Sequence, residues 1–124
     1  MTPIYETVIR DGQVVTAEEG VVIADLAISD GRIAAIGAAL PAARREIAAN
    51  GLYVMPGGVD PHAHIEQLSG MGVMNADTFE TATRAAAMGG TTSVISFAAQ
   101  QKGDSLAETV ADYAARARRG AMID

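Results

Sequence analysis

No cysteine occurs anywhere in the chain, so neither a disulfide framework nor a thiolate metal site is available to it. Tryptophan is absent too, and only two Phe and three Tyr are present among abundant Ala and Gly. That composition favours close helix-to-sheet packing over a bulky sandwich core. Lysine is nearly missing: Lys102 stands alone, and Lys and Arg nowhere gather into a phosphate-neutralising stripe. With a net charge of −6, this argues against nucleic acid as a partner. Arg116, Arg118 and Arg119 read instead as the last turn of a helix, complementing its dipole. No run of about 18 apolar residues exists, so no membrane-spanning helix is expected. The segment Met1-Thr2-Pro3-Ile4-Tyr5-Glu6 lacks the basic and apolar parts of a signal peptide. A soluble, cytoplasmic chain is expected.

What is present is globular in character: 49% hydrophobic and 19% charged residues bury a core rather than stay disordered. A length of 124 residues suits one domain of ordinary size and is short for most enzymes. Residues 4–55 read as short strands with turns. Ile4 to Arg10 runs into Asp11-Gly12, a turn dipeptide, and Gln13 to Thr16 continues beyond it. Glu18-Glu19-Gly20 breaks the pattern before the apolar arm Val21 to Ser29. Asp30-Gly31 then predicts a two-residue hairpin turn with Ser29 facing Arg32, Ile28 facing Ile33 and Leu26 facing Ala35. Arg45 to Ala48 is a possible strand and Asn50-Gly51 a third turn. The sequence predicts a small β module, a sandwich, over residues 1–55.

Over residues 56–124 the rhythm changes. A loop rich in Gly and Met (Gly70, Met71, Gly72, Met74) leads to Asp77, read as an N-cap with Glu80 as its capping-box partner. Phe79, Ala82, Thr83 and Ala86 share one helical face, and Gly89-Gly90 ends the helix. Thr91 to Ala98 has the β-branched apolar character of a buried parallel strand. Ser105-Leu106-Ala107-Glu108 opens a second helix with Leu106, Val110, Tyr113, Ala114 and Ala117 on one side and Gly120 as its C′ residue. Ala121-Met122-Ile123 starts what reads as a third strand. This is parallel βαβα construction with both helices on one flank. A strand like Thr91 to Ala98 needs cover on both faces. These residues are therefore expected to begin a larger barrel or to be completed by another chain; the alternative is a small free-standing α/β protein.

Both histidines fall in Pro56-Gly57-Gly58-Val59-Asp60-Pro61-His62-Ala63-His64-Ile65. In a strand, residues two apart point to the same side, about 6–7 Å apart along the backbone. His62 and His64 can thus present two imidazoles together, and neutral imidazole suits zinc and its neighbours. Spacing alone leaves a metal pair and a plain polar strand end equally open, since two ligands do not complete a site. Asp60 could accept from an imidazole N–H and orient it, or cap the loop backbone.

The order β module, Pro-Gly-Gly-Val-Asp-Pro-His-Ala-His, then βα units resembles the amidohydrolase superfamily, and within it the cyclic amidohydrolases of hydantoinase and dihydropyrimidinase type. Ile28-Ser29-Asp30-Gly31-Arg32-Ile33-Ala34-Ala35-Ile36-Gly37 is similar to that family's N-terminal hairpin. Asp77-Thr78-Phe79-Glu80 and Met88-Gly89-Gly90-Thr91-Thr92-Ser93-Val94-Ile95-Ser96-Phe97-Ala98 are similar to its first barrel helix and second barrel strand. The resemblance implies a β-sandwich segment followed by the first units of a TIM-type (β/α)8 barrel, incomplete in this chain, in an oligomeric protein. It implies that His62 and His64 bind the more buried metal of a binuclear zinc centre, which hydrolyses a cyclic ureide or imide to an N-carbamoyl amino acid. Glu66 and Gln67 then shape the substrate mouth, and Ser96 stands where many relatives carry aspartate. Met71 and Met74 fit packing at that mouth or an oligomer contact. The family also needs a carboxylated lysine, two more histidines and an aspartate on later strands, for which Lys102 and Asp124 come too early. No catalytic residue is therefore assigned, and the chain alone is expected to be inactive. The alternatives are a non-catalytic, hydantoinase-like assembly protein and a dihydroorotase-type hydrolase. Expected partners are a small cyclic amide, once the site is completed, and either a second copy or a complementing chain.

Overall fold

The computed structural model describes residues 4–124; Met1, Thr2 and Pro3, part of the N-terminal segment read above, lie outside the described residues. The chain forms two compact units, one up to Pro56 and one Gly57–Asp124. Among the described residues no helix is long and apolar enough to cross a membrane.

The first unit is one mixed sheet of five strands: β1 (Tyr5–Thr16), β2 (Gly20–Ser29), β3 (Arg32–Gly37), β4 (Ala43–Ala48) and β5 (Tyr53–Val54). Its order is β3-β2-β1-β4, with β5 also on β1. The expected sandwich is thus represented here by a single sheet. Its core gathers Val14, Ala24 and Leu26, with Ile9, Val22, Ile28 and Val54 packed against them. The β2–β3 hairpin turns through Asp30 and Gly31, at φ +52° and +67°, as a two-residue turn with two left-handed residues requires. Ser29 faces Arg32 and Ile28 faces Ile33, as expected, but Leu26 faces Ile36 and Ala27 takes Ala35. The extra residue Ala34 forms a bulge and shifts the register by one.

Asp11-Gly12 is not a turn. Both residues lie inside β1, where the pairing jumps from Ile9↔Leu26 to Gly12↔Ala24. Arg10 and Asp11 together oppose Asp25, and Asp11 takes the left-handed φ of +54°. What replaces the turn is a polar knot. The buried Asp25 carboxylate accepts from the Asp11 amide at 3.0 Å, the Leu40 amide at 3.0 Å and Arg10 Nη1 at 2.8 Å. Arg10 Nη2 reaches Glu46 Oε1 on β4 at 2.5 Å.

The second unit holds β6 (Gly58–Ala63), α1 (Phe79–Met88), β7 (Thr91–Ser96) and α2 (Leu106–Gly120). β6 and β7 pair in parallel. On the other side of β7 the Val94 amide donates to Asp124 O at 2.6 Å, and the Asp124 amide to Thr92 O at 3.3 Å. Those two bonds have the form of a parallel bridge, so the segment after α2 begins pairing where a third strand was expected. Ala63, Ile65 and Phe79 form the core, covered by Ala82, Val94, Tyr113 and Ala117; both helices therefore serve one face. β7 is covered on that face only, and Ile95 remains 60% exposed on the other.

Three local expectations change. The α1 cap is Thr78, one residue later than expected, in a reciprocal box with Thr81. Asp77 accepts from the Thr81 hydroxyl at 2.9 Å instead, and Glu80 pairs with Arg84 one turn on. Gly120 ends α2 as a helical residue, not as a left-handed C′ cap. A Cβ there would stand 3.2 Å from the Glu80 amide nitrogen and 3.4 Å from Phe79 Cβ, so glycine permits close approach of the two helices. Arg116 leaves the dipole role to Arg118 and Arg119 and donates to Glu66 O at 3.2 Å.

Candidate metal-binding site

His62 is the penultimate residue of β6 and His64 the first residue beyond it. Alternation puts the intervening Ala63 and the following Ile65 into the core, which forces both imidazoles to the open side. Their Nε2 atoms stand 3.2 Å apart, with ring centroids 5.2 Å apart and planes tilted by 54°. Two nitrogens on one tetrahedral zinc are separated by about 3.3 Å, given Zn–N bonds of about 2.0–2.1 Å. The donor pair therefore fits two corners of such a site. Among the described residues, no cluster of three or more His, Cys, Asp or Glu is placed to hold a metal.

Phe97, which the sequence reading passed over, walls the pair. Its ring centroid lies 4.4 Å from that of His62 and 5.2 Å from that of His64, nearly parallel to the latter at 13°. Register explains the contact: the Phe97 amide donates to Ala63 O at 3.1 Å, so the residue after β7 lies beside the residue between the histidines. The apolar ring limits the directions from which water meets the imidazoles.

The weaker candidates separate. Asp60 Oδ1 accepts from the His62 backbone N–H at 3.0 Å, the loop-capping arrangement rather than the ring contact. Glu66 sits at φ +46° and sends its carboxylate away from the histidines, accepting from the Phe79 amide at 2.9 Å. An acid at that point meets the orphan N–H groups and positive end of α1. Gln67, by contrast, is buried against the site, with its side-chain nitrogen 2.7 Å from His64 Nδ1. It also borders a pocket of about 290 Å³ shared with Leu68, Met74, Tyr113 and Arg116. Met71 is 88% exposed.

Ser96 and Tyr113 hold the strand end in place. Tyr113 OH donates to Ile65 O at 2.5 Å and meets Ser96 Oγ at 2.7 Å, and Ser96 Oγ also reaches Ala63 O at 3.1 Å. Helix α2 is thereby tied to the carbonyls on both sides of His64. Tyr113→Phe is expected to cost about 1–2 kcal/mol of stability, because it orphans a buried carbonyl while keeping the ring packing; a shift in the urea midpoint at constant slope would measure it.

No protein-family model matches the chain. D-hydantoinase of Ralstonia pickettii is 49% identical over 119 residues, which are 96% of this chain and 26% of that protein. An allantoinase of Solibacter usitatus is 52% identical over 87 residues, 70% of this chain and 18% of that protein. A solved structure of D-hydantoinase superposes with a TM-score of 0.88 at 49% identity, covering 96% of this chain and 26% of that one. The chain thus spans about a quarter of the length of the hydantoinases it matches.

Proposed function

Since the chain matches the N-terminal portion of a cyclic amidohydrolase over nearly its whole length, we propose that it contributes the first imidazole pair of a zinc-dependent hydrolase acting on a cyclic ureide or imide. The observation that carries this reading is the convergence of His62 and His64 Nε2 at 3.2 Å. Zinc bound there supplies Lewis acidity and a water molecule acidic enough to be hydroxide near neutral pH. The chain's own residues hold and shelter the site. His62 and His64 are the ligands, Asp60 fixes the backbone beneath the first, and Phe97 excludes water from one side. The remaining donors are proposed to come from outside these 124 residues, which alone are not proposed to turn over substrate.

The parallel pair β6–β7 and the bridge made by Asp124 fit the opening strands of a (β/α)8 barrel. Barrel sites lie at the C-terminal ends of such strands, the end at which His62 and His64 stand. The β1–β5 sheet then belongs to the β-sandwich of such a protein. The proposed substrate is small, the setting cytoplasmic and the assembly oligomeric.

A second reading, a non-catalytic hydantoinase-like assembly protein, draws support from an apolar groove of about 800 Å³ beside β7, lined by Val94, Phe97, Val110 and Ile123 among others. Metal analysis of the purified protein separates the two. Zinc taken up by the wild type when it is added, more weakly than by a site with three or four ligands, and not taken up by His62→Ala is the expected result. A stable oligomer that takes up no zinc, whether as purified or when zinc is added, would overturn the metal reading and favour assembly.

A further inference from the structure

The reading of His62 and His64 as a metal pair leaves open which nitrogen of each ring carries the proton. Gln67 bears directly on that choice. Its backbone is clamped, the Gln67 amide donating to Asn75 Oδ1 at 3.0 Å and the Asn75 amide to Gln67 O at 3.0 Å. Its side chain is only 5% exposed with the residue as a whole, and it ends 2.7 Å from His64 Nδ1. The atom placed there is Nε2, while the buried Oε1 has no hydrogen-bond partner among the described residues. The oxygen and nitrogen of a glutamine amide have nearly the same shape, and their assignment follows from the hydrogen-bond network.

The two orientations make different histidines. With the nitrogen toward His64, Nδ1 must accept, so the proton sits on Nε2 and points at His62. With the oxygen there, Nδ1–H donates to Gln67, and His64 Nε2 carries a lone pair on the side it shares with His62. Histidines that bind metals donate their other ring N–H to an oxygen acceptor in this way. The second arrangement gives the oxygen a donor but puts the amide nitrogen in the oxygen's former place, so the choice rests on the need of a ligating His64 for a free Nε2. Either arrangement allows the 3.2 Å contact without metal; in the second, His62 Nε2–H donates to His64 Nε2.

We propose that Gln67 is a positioning residue for His64, accepting from Nδ1–H through Oε1 and holding Nε2 as the free, ligand-ready nitrogen. This assignment rests on the metal-pair reading for its purpose but not for its test, because it concerns a neutral tautomer that exists before any ion binds. It places Gln67 behind the ring, in support of a ligand, rather than at the substrate mouth.

The test is the two-bond proton–nitrogen correlation spectrum of metal-free protein labelled with 15N-histidine, assigned by His62→Ala. The expected result is His64 protonated at Nδ1 in the wild type and in Gln67→Glu, whose side chain also offers oxygen. Gln67→Leu should transfer the population toward Nε2–H and weaken zinc uptake about 10–100-fold. Gln67→Met serves in its place if the Leu variant's amide spectrum shows loss of fold. An Nε2–H tautomer at His64 in the wild type would overturn the proposal. So would Nδ1–H persisting in the folded Leu or Met variant, or zinc affinity unchanged in it. If the tautomer follows Gln67 but no variant, nor the wild type, takes up zinc, the metal reading falls and the Gln67 assignment stands.

Discussion

Gly57→Ala should be among the most destabilising single substitutions in the second unit, at about 3 kcal/mol, the upper range for forcing one carbon into packed space. A Cβ on Gly57 would lie 2.1 Å from Thr92 Oγ1, 2.2 Å from its Cγ2 and 2.7 Å from its Cβ. The first two atoms can swing away with the side chain. The third is fixed to β7 and moves only if the strand does. Because Gly57 leads directly into β6, relief by backbone shift would displace the strand that ends at His62. Gly57→Ala is therefore expected to lower both the urea midpoint and the uptake of added zinc. Thr92→Gly in the same molecule removes every atom of the overlap, so the double variant should be more stable than the sum of its two single costs. Strict additivity would show that the clash is not the cause.

Asp25→Ala should have a comparable effect on the first unit, roughly 2–4 kcal/mol. It leaves the Asp11 and Leu40 amides without their acceptor and deprives Arg10 of its buried partner. The same knot predicts acid lability. The Asp11 amide holds the Asp25 carboxyl below its ordinary value of 3.8; burial opposes this, while Arg10 and the Leu40 amide add to it. Glu46 is likewise held below 4.5, chiefly by its hydrogen bond from Arg10 and also by the Ala43 amide. Both groups have folded-state values depressed relative to the unfolded chain. Their contribution is present in full above the ordinary carboxylate range and is lost as pH falls through the lowered folded values. Unfolding midpoints followed from pH 7 to pH 3 should drop most steeply below about pH 4. Asp25→Asn should flatten that drop while lowering stability at pH 7. An unchanged acid profile in Asp25→Asn would remove Asp25 from the explanation.

The knot also marks where sequence reading misjudged the chain. Asp11-Gly12 has turn chemistry, and local propensity alone favours a hairpin there. The buried carboxylate of Asp25, fourteen residues away, captures the Asp11 amide and turns the same dipeptide into a bulge within one long strand. Asp30-Gly31 carries the same chemistry and does turn, although its Asp30 amide also finds a distant carboxylate, the exposed Glu6 Oε2 at 3.0 Å; that contact lies beyond the last β1–β2 pair, Thr7↔Ile28, and does not draw the dipeptide into a strand. Gly120 repeats the lesson for helices: a glycine near a C-terminus suggests a left-handed cap, yet its neighbours are Phe79 and Glu80 on another helix.

The candidate site divides in the same way. That His62 and His64 share a side was legible, because strand alternation with Ala63 and Ile65 inside is a local property of four residues. Phe97 and Gln67 were not legible in their roles. Phe97 reaches the pair through the register of β7 on β6, and Gln67 reaches it by a loop that folds back through Asn75. A sign of Phe97 existed: it is the aromatic residue that follows the β-branched run of the adjacent strand.

The order of elements, the Asp30-Gly31 hairpin, the helical face of Phe79 and Thr83, and the common side of the two imidazoles were set by the sequence itself, since each depends on backbone preferences and periodicity within a few residues. Tertiary structure alone decided the 3.2 Å approach of the two nitrogens, the aromatic wall, the glutamine behind His64 and the polar knot around Asp25. Those contacts join residues far apart along the chain. Their existence depends on strand register and loop path, which packing fixes and local propensity does not.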